Sequence, residues 1–321
     1  MKPLEDAFSS EGFRRVVLPG IVLTIGLHPL IRQWLPDIQG LYGIGQAALA
    51  VTEVIAFGLA VSSAIQWIYY VYEGFRLPWV TALAGRSNKK LVANLSRLMR
   101  EIQGDKEFDD LPESQQWRLY KLNERLIEYP LVISKDGYPR RKAERPTRLG
   151  NIIATYELYA ESRYGIDGVD YWYHLLFLGS SDARKEFEGQ YAFAENLVLT
   201  SFSGVIVALV HGGVLLGSLI GFVYPNWVVF KLASGPATSL VIALVGIAVW
   251  WAFYAAALPA HKDAGAMFRT VVDISMPAFA DWTASMQTAL SSKDETWWRE
   301  LSEYLKNLEP LEKLKPPEST Q

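Results

Sequence analysis

"TSLVIALVGIAVWWAFYAAAL", residues Thr238–Leu258, runs for twenty-one positions without a single charge. About 20 apolar residues in helical form cross the hydrocarbon core of a bilayer, so this stretch by itself predicts a membrane helix. Three further apolar runs stand with it. Leu197–Val223, "LVLTSFSGVIVALVHGGVLLGSLIGFV", and Leu41–Tyr72, "LYGIGQAALAVTEVIAFGLAVSSAIQWIYYVY", are both long enough to span. Val16–Leu35, "VVLPGIVLTIGLHPLIRQWL", is the weakest, because Pro19 and Pro29 interrupt it.

The composition agrees with a membrane protein that also carries a large water-facing part. Half of the 321 residues are apolar, and the mean hydropathy is slightly positive. The net charge of −3 excludes nothing. There is no cysteine, hence no disulfide framework and no thiolate nucleophile or metal ligand. Four histidines, His28, His174, His211 and His261, leave little for a histidine-rich metal site. Arg14 and Arg15 precede the first run, but Glu5, Asp6 and Glu11 come before them and no small-x-small site follows; we read this as a retained first span rather than a cleaved signal.

Basic residues set the expected orientation. Lys2, Arg14 and Arg15 precede the first run; Arg76, Arg86, Lys89, Lys90, Arg97 and Arg100 follow the second; Lys262 and Arg269 follow the fourth. The two loops on the other side hold only Arg32 and Lys231. Trp34, Trp79, Trp227 and Tyr224 suit interfacial belts. The expected fold is therefore all-α: an integral protein of the bacterial inner membrane with both termini cytoplasmic. Two transmembrane hairpins, about four helices at 1–75 and 195–260, flank a helical cytoplasmic domain at 76–194, and a helical cytoplasmic tail at 261–321 ends in a disordered "KPPESTQ".

Within the insert, Ser87–Gln103 and about Glu113–Glu128 read as amphipathic helices, "YPLVISKDGYPRR" as a turn or short extended piece around Asp136-Gly137, and Thr147–Arg163 as one helix stopped by Gly165. A further helix begins near Asp167–Asp170, and "SSDARKEFEGQYAFAEN" leads helically into the third run. In the tail, Trp297, Leu301, Tyr304, Leu305 and Leu308 share one helical face, which suits packing on the insert or on a neighbouring subunit.

The candidate site residues fall into three groups. Glu53 is the only acid inside a confident span, and an ionisable group there is expensive to keep. Gln46 shares its face, Ser63 and Gln66 extend a polar stripe, and His211 sits near the middle of the third run beside Gly212 and Gly213. These five are the expected pore lining. Lys135, Arg140, Arg141, Lys142, Arg145 and Arg148 place six cations in 14 residues, ending at a helix N-terminus that also favours anions. With Tyr138, Tyr156, Tyr159 and Tyr164 to stack bases, Arg140, Arg141, Lys142, Arg145 and Arg148 are the expected ligand-binding set for a nucleotide or oligonucleotide regulator; the alternative is a solvated basic loop near anionic headgroups.

Catalytic patterns fare poorly. In "SFSG", Ser203 and His211 lie eight residues apart on one helix, about 12 Å, too far for a hydrogen bond. Asp170 with His174, and Glu157 with Glu161, have metal-ligand spacing that is common on solvated faces. No phosphate loop, dinucleotide fingerprint or zinc motif is present. We expect no cofactor and no metal.

"RPTRLGNIIATYELYAESRYGID" resembles the signature of a family of largely uncharacterised bacterial multi-pass membrane proteins, through Pro146, Thr147, Arg148, Gly150, Asn151, Arg163, Tyr164, Gly165 and Asp167. That signature often continues with Trp-Pro-Arg; here Trp172 is followed by Tyr173 and His174. The hairpin–insert–hairpin layout is also similar to membrane effectors of anti-phage systems. On these grounds the segment reads as a shaped structural corner first, a ligand reader second and an active site last. The expected function is a homo-oligomeric ion channel or pore-forming effector gated by its cytoplasmic domain, with antiviral defence as one setting. The alternative is a non-channel scaffold or sensor that recruits a partner protein. A membrane enzyme ranks third, and we expect none.

Overall fold

The computed structural model describes residues 10–34, 44–75, 78–104, 106–133, 139–166, 168, 171–223 and 236–292. These residues are mostly helical. The helices are α1 (Ser10–Trp34), α2 (Ile44–Ser63), α3 (Ile65–Glu73), α4 (Pro78–Gln103), α5 (Glu113–Leu126), α6 (Arg148–Glu157), α7 (Tyr159–Tyr164), α8 (Trp172–Leu178), α9 (Ser181–Val223) and α10 (Pro236–Ser292). Two short strands, β1 (Leu131–Ile133) and β2 (Pro139–Arg141), pair antiparallel with Val132 opposite Arg140. Three helical stretches are long and apolar enough to cross a membrane: Gly45–Ser63, Ser181–Ser218 and Pro236–Ala284. The apolar part of α1, Arg15–Ile31, is shorter.

The chain folds as two compact units. The first comprises Met1–Thr81 with Tyr191–His261; the second comprises Ala82–Gln190 with Lys262–Gln321. Both α9, at 43 residues, and α10, at 57, contribute residues to each unit.

Glycine sets the helix spacing in the first unit. A Cβ on Gly20 would lie 2.0 Å from the Val54 carbonyl oxygen, and one on Gly58 would lie 2.0 Å from the Val16 carbonyl oxygen. The backbones of α1 and α2 therefore touch, as small residues permit in membrane packing. Gly204 and Gly246 do the same for α9 and α10, while Gly26 takes the Val207 side chain of α9. Gly212 and Gly213, beside His211, have nothing within 4 Å of their Cβ positions.

Both prolines lie inside α1, which is one helix rather than a broken run. Proline lacks an N–H and leaves the carbonyl four residues earlier without its helical donor. For Pro19 that carbonyl belongs to Arg15, and the Ser62 hydroxyl of α2 donates to it at 3.1 Å. A neighbouring helix thus satisfies the freed group, as a buried carbonyl requires.

Two helical expectations need correction. The second run is not one long helix: it ends at Ser63 and restarts at Ile65, with Ala64 between at ψ 9. Thr147–Arg163 also divides, at Leu158, so Arg148 and Arg163 belong to different helices. The turn around Asp136-Gly137 and the tail face of Trp297, Leu301, Tyr304, Leu305 and Leu308 lie outside the described residues, although the flanking segments 131–133 and 139–141 form a hairpin.

The second unit has two apolar clusters. Val92, Leu95, Leu126, Tyr129 and Ala143 bury the inner faces of α4 and α5 under the hairpin. Phe268 of α10 stacks on Trp172 with ring centres 4.4 Å apart and also meets Tyr156 and Phe187.

Candidate functional site

In the first unit, α1 contacts both ionisable residues expected to line a path, on two different faces: His28 meets Glu53 of α2, and the turn at Gly26 meets His211 of α9. His28 Nδ1 lies 2.8 Å from Glu53 Oε2. His211 Nε2 lies 2.8 Å from the Gly26 carbonyl oxygen. The convergence follows from helix geometry. Side chains lean toward the N-terminus of their own helix. The Gly20–Val54 and Gly58–Val16 contacts show α1 and α2 to be antiparallel. His28 and Glu53 therefore lean toward each other and meet near the level of Thr24. Pro29 opens the turn of α1 that contains Gly26, and His211 bonds to a carbonyl of that turn.

These residues are buried and incompletely paired. Glu53 is 8% exposed and His211 fully buried. Glu53 Oε1, Thr24 Oγ1 and His211 Nδ1 are buried without a hydrogen-bond partner. A carbonyl only accepts, so His211 carries a hydrogen on Nε2 and donates it to Gly26.

The remaining expected lining does not join this cluster. Ser63 and Gln66 are exposed, and the helix break at Ala64 separates them. Gln46 is half-buried. The four α2–α3 residues thus do not form one polar stripe. Below the cluster, other polar groups missed in the sequence are paired inside the unit. Arg15 meets Glu195 at 2.6 Å. Tyr72 Oη lies 2.7 Å from Ser201 Oγ, which donates to the Trp250 carbonyl at 3.0 Å. Tyr69 Oη lies 3.1 Å from His261 Nε2. Glu195 sits two residues ahead of an apolar run, and Tyr69 and Tyr72 close another, so only the partners' positions reveal these contacts. Ser203, of "SFSG", donates to the Leu199 carbonyl of its own helix.

The basic segment of the second unit is engaged within the unit. Arg148 donates to both oxygens of Glu128, each at 2.6 Å, and Lys262 reaches the same carboxylate at 2.6 Å. Burial pushes the Glu128 carboxyl up, but these two cations outweigh it and hold it below the usual range. Arg145 pairs with Glu157, whose carboxyl burial raises despite that partner. Lys142 pairs with Glu144 at 2.6 Å, and Arg141 donates to the Tyr129 carbonyl at 2.9 Å. Arg140 is exposed.

The signature residues build a corner. Thr147 caps α6 by accepting from the Gly150 N–H at 3.0 Å. Asn151 is fully buried; it accepts from the Arg145 N–H and donates to the carbonyls of Arg145 and Thr147. Gly165 ends α7 at φ 73°, a conformation that favours glycine. Nothing lies within 4 Å of a Cβ there, so its role is the turn and not a close approach. Tyr159 and Tyr164 both donate to Asp273 of α10, at 2.9 Å and 2.7 Å, so neither hydroxyl is free for a ligand. Arg163 is exposed on the last turn of α7. Asp167 and Asp170 lie outside the described residues. His174 packs between Tyr171 and Trp282. Among the described residues, no group of three His, Asp or Glu side chains is placed to hold a metal ion.

What these contacts define is a helical protein with membrane-length apolar helices, an incompletely paired polar cluster in one unit and an internally neutralised corner in the other. No family model, curated protein or solved structure matches the chain.

Proposed function

We propose that this chain is a bacterial inner-membrane ion channel or pore-forming effector, homo-oligomeric, with four membrane helices in two hairpins and both termini cytoplasmic. The observation that carries the reading is the His28–Glu53 pair at 2.8 Å with Glu53 Oε1 unpartnered and buried. Ionisable groups inside a membrane segment are expensive and mark ion or proton pathways. A carboxylate placed there only for stability would have both oxygens paired. The exposed apolar surfaces of α2 and α10, including Val51, Leu59, Leu244 and Trp251, supply area for lipid and for neighbouring copies.

Gating by the second unit is supported by α9 and α10, each a single helix with residues in both units. The internal pairing of Arg141, Lys142, Arg145 and Arg148 supports the corner as a stiff element of that gate more than as the place where a nucleotide regulator binds. The signature resemblance accords with this, because Thr147, Gly150 and Asn151 all serve the corner.

The test is ion flux in proteoliposomes made with the full chain, comparing wild type with Glu53→Gln. The channel reading expects flux that this substitution alters. Well-folded protein that passes no ion, with or without nucleotides, would move the assignment to a scaffold or sensor that recruits a cytoplasmic partner.

A further inference from the structure

Three large aromatic side chains of the second unit meet in the open at the start of α5. Phe108 is 46% exposed, Trp117 61% and Tyr120 50%. With Glu113 and Gln116 they line an open groove of about 330 Å³. The rings of Trp117 and Tyr120 stack at 5.6 Å with 15° between their planes, so they present one broad apolar step. Such a step adds little to the core, and exposed aromatic surfaces are where proteins meet partners.

The groove is held in shape. Phe108–Asp110 is a single 3-10 turn, and Leu111 just after it is buried. Gln116 reaches back from α5 and donates to the Leu111 carbonyl at 2.9 Å and to the Asp109 carbonyl at 3.5 Å. The backbone N–H groups of Gln115 and Gln116 both donate to the Pro112 carbonyl. The turn that carries Phe108 is thus fixed against the helix that carries Trp117 and Tyr120, and a ligand meets a surface already ordered.

Charge decides what fits. α5 turns about 100° per residue, which puts Glu113, Tyr120 and Gln116 to one side of Trp117 and Lys121, Arg125 and Arg118 to the other. Beside the groove, Glu107, Asp109 and Asp110 are exposed, against one exposed cation, Lys106. The groove side is therefore acidic and aromatic together. Its carboxylates repel phosphates, whether of nucleotides or of lipid headgroups, whereas a cation is drawn both to them and to the ring faces. The chain already makes one such contact: Lys121 Nζ lies 4.7 Å from the Trp117 ring centre and 5.7 Å from that of Tyr120. Lys121 also pairs with Glu124 at 3.0 Å and does not line the groove.

We propose that Phe108, Trp117 and Tyr120, rimmed by Glu113, form a docking site for an arginine-bearing basic segment of a partner protein. Guanidinium is planar and weakly hydrated, and it stacks on aromatic faces while its N–H groups reach a carboxylate. Here it lies against Trp117 and Tyr120 and donates to Glu113. The site belongs to a different unit from the His28–Glu53 pair, and it stands whether the protein is a channel or a scaffold.

The experiment is fluorescence anisotropy of a dye-labelled peptide, Gly-Arg-Gly-Arg-Gly-amide, titrated with full-length protein in an uncharged detergent. We expect saturable binding that weakens with salt. Trp117→Ala should weaken it about tenfold or more and Glu113→Gln about threefold, and a peptide with lysine for arginine should bind less tightly. Trp117 is exposed, so its variant should keep the wild-type Tm. If it does not, the charge reversal Glu113→Lys decides the same point from an exposed position and should abolish binding. No saturable binding by wild type, or equal affinity in the Trp117 and Glu113 variants, would overturn the proposal. So would tighter binding of a glutamate peptide of the same length, or of vesicles containing phosphatidylserine that the Trp117 variant fails to bind. A dimer of the full chain that Trp117→Ala dissociates, with no peptide bound, would give the surface to a second copy and overturn it too.

Discussion

Glu128 and Glu53 are both carboxylates that the fold takes almost wholly away from its surroundings, at 3% and 8% exposure, yet their surroundings are opposite. Glu128, in the second unit, receives two hydrogen bonds from Arg148 and a third contact from Lys262. Both of its oxygens are used and its charge is more than matched. Glu53, in the first unit, has one oxygen on a titratable partner and the other on nothing. A closed set of pairs fixes a shape; an open valence inside an apolar region has no stabilising use and suggests work to be done.

The largest expected effect tests whether the open cluster depends on close packing. Gly20→Val would place a side chain where even a Cβ sits 2.0 Å from the Val54 carbonyl oxygen. We expect α1 and α2 to separate, at a cost of about 3 kcal/mol or more, with loss of the His28–Glu53 bond; detergent-solubilised protein should show a sharply lower Tm and early elution. An unchanged Tm would mean that the helices do not touch at Gly20. Next comes Glu128→Ala, which strips Arg148 and Lys262 of their shared carboxylate. Breaking a buried pair costs about 3–5 kcal/mol, but Arg148 and Lys262 are 44% and 37% exposed and regain water, so we expect about 2 kcal/mol by thermal unfolding.

The pH dependence of that site has a definite sign. The folded pKa of Glu128 lies below its unfolded value. Its contribution is therefore fully present above the unfolded pKa of about 4.3 and is lost as pH falls through the lower folded value. Wild type should lose stability over that acid window more steeply than Glu128→Gln, in unfolding scans at matched ionic strength.

The sequence made the membrane-length runs, the amphipathic α4 and α5, and the cap-and-stop logic of Thr147 and Gly165 legible, because apolar periodicity and turn chemistry are local. It singled out Glu53 and His211 on cost alone. It did not reveal His28 as the partner, since a histidine before a proline carries no signal of what lies across the helix pair. Nor did it reveal that the cations at 141–148 are spoken for: Glu128 and Lys262 are 134 residues apart in the chain, and only the fold brings them to Arg148. The breaks at Ala64 and Leu158 were hidden for a different reason, because alanine and leucine are good helix formers and tertiary context overrides them.

Asn151→Ala should come third among the substitutions. It removes one acceptor and two donor contacts to the backbone of Arg145 and Thr147 from a fully buried position. With buried backbone groups left unpaired, about 2 kcal/mol is expected, and the loss should appear as faster amide exchange confined to the start of α6. The smallest effect lies at Asp273, where the second unit's pairing is exposed. Tyr159 and Tyr164 both donate to its carboxylate. Burial first, then the bond and charge of Asp273, push the Tyr159 hydroxyl up to about 12. For a phenol raised in the folded state, the contribution to stability is present below the ordinary pKa of about 10 and vanishes as pH rises through the folded value. Asp273→Asn should lower the Tyr159 titration toward 10, read as the ultraviolet difference between that variant with and without Tyr159→Phe, while changing stability near neutral pH by about 0.5 kcal/mol or less. A Tyr159 that titrates alike with Asp or Asn at 273 would place the carboxylate outside hydrogen-bonding range, and the pairing that neutralises Glu128 inside the second unit would then not extend to Asp273.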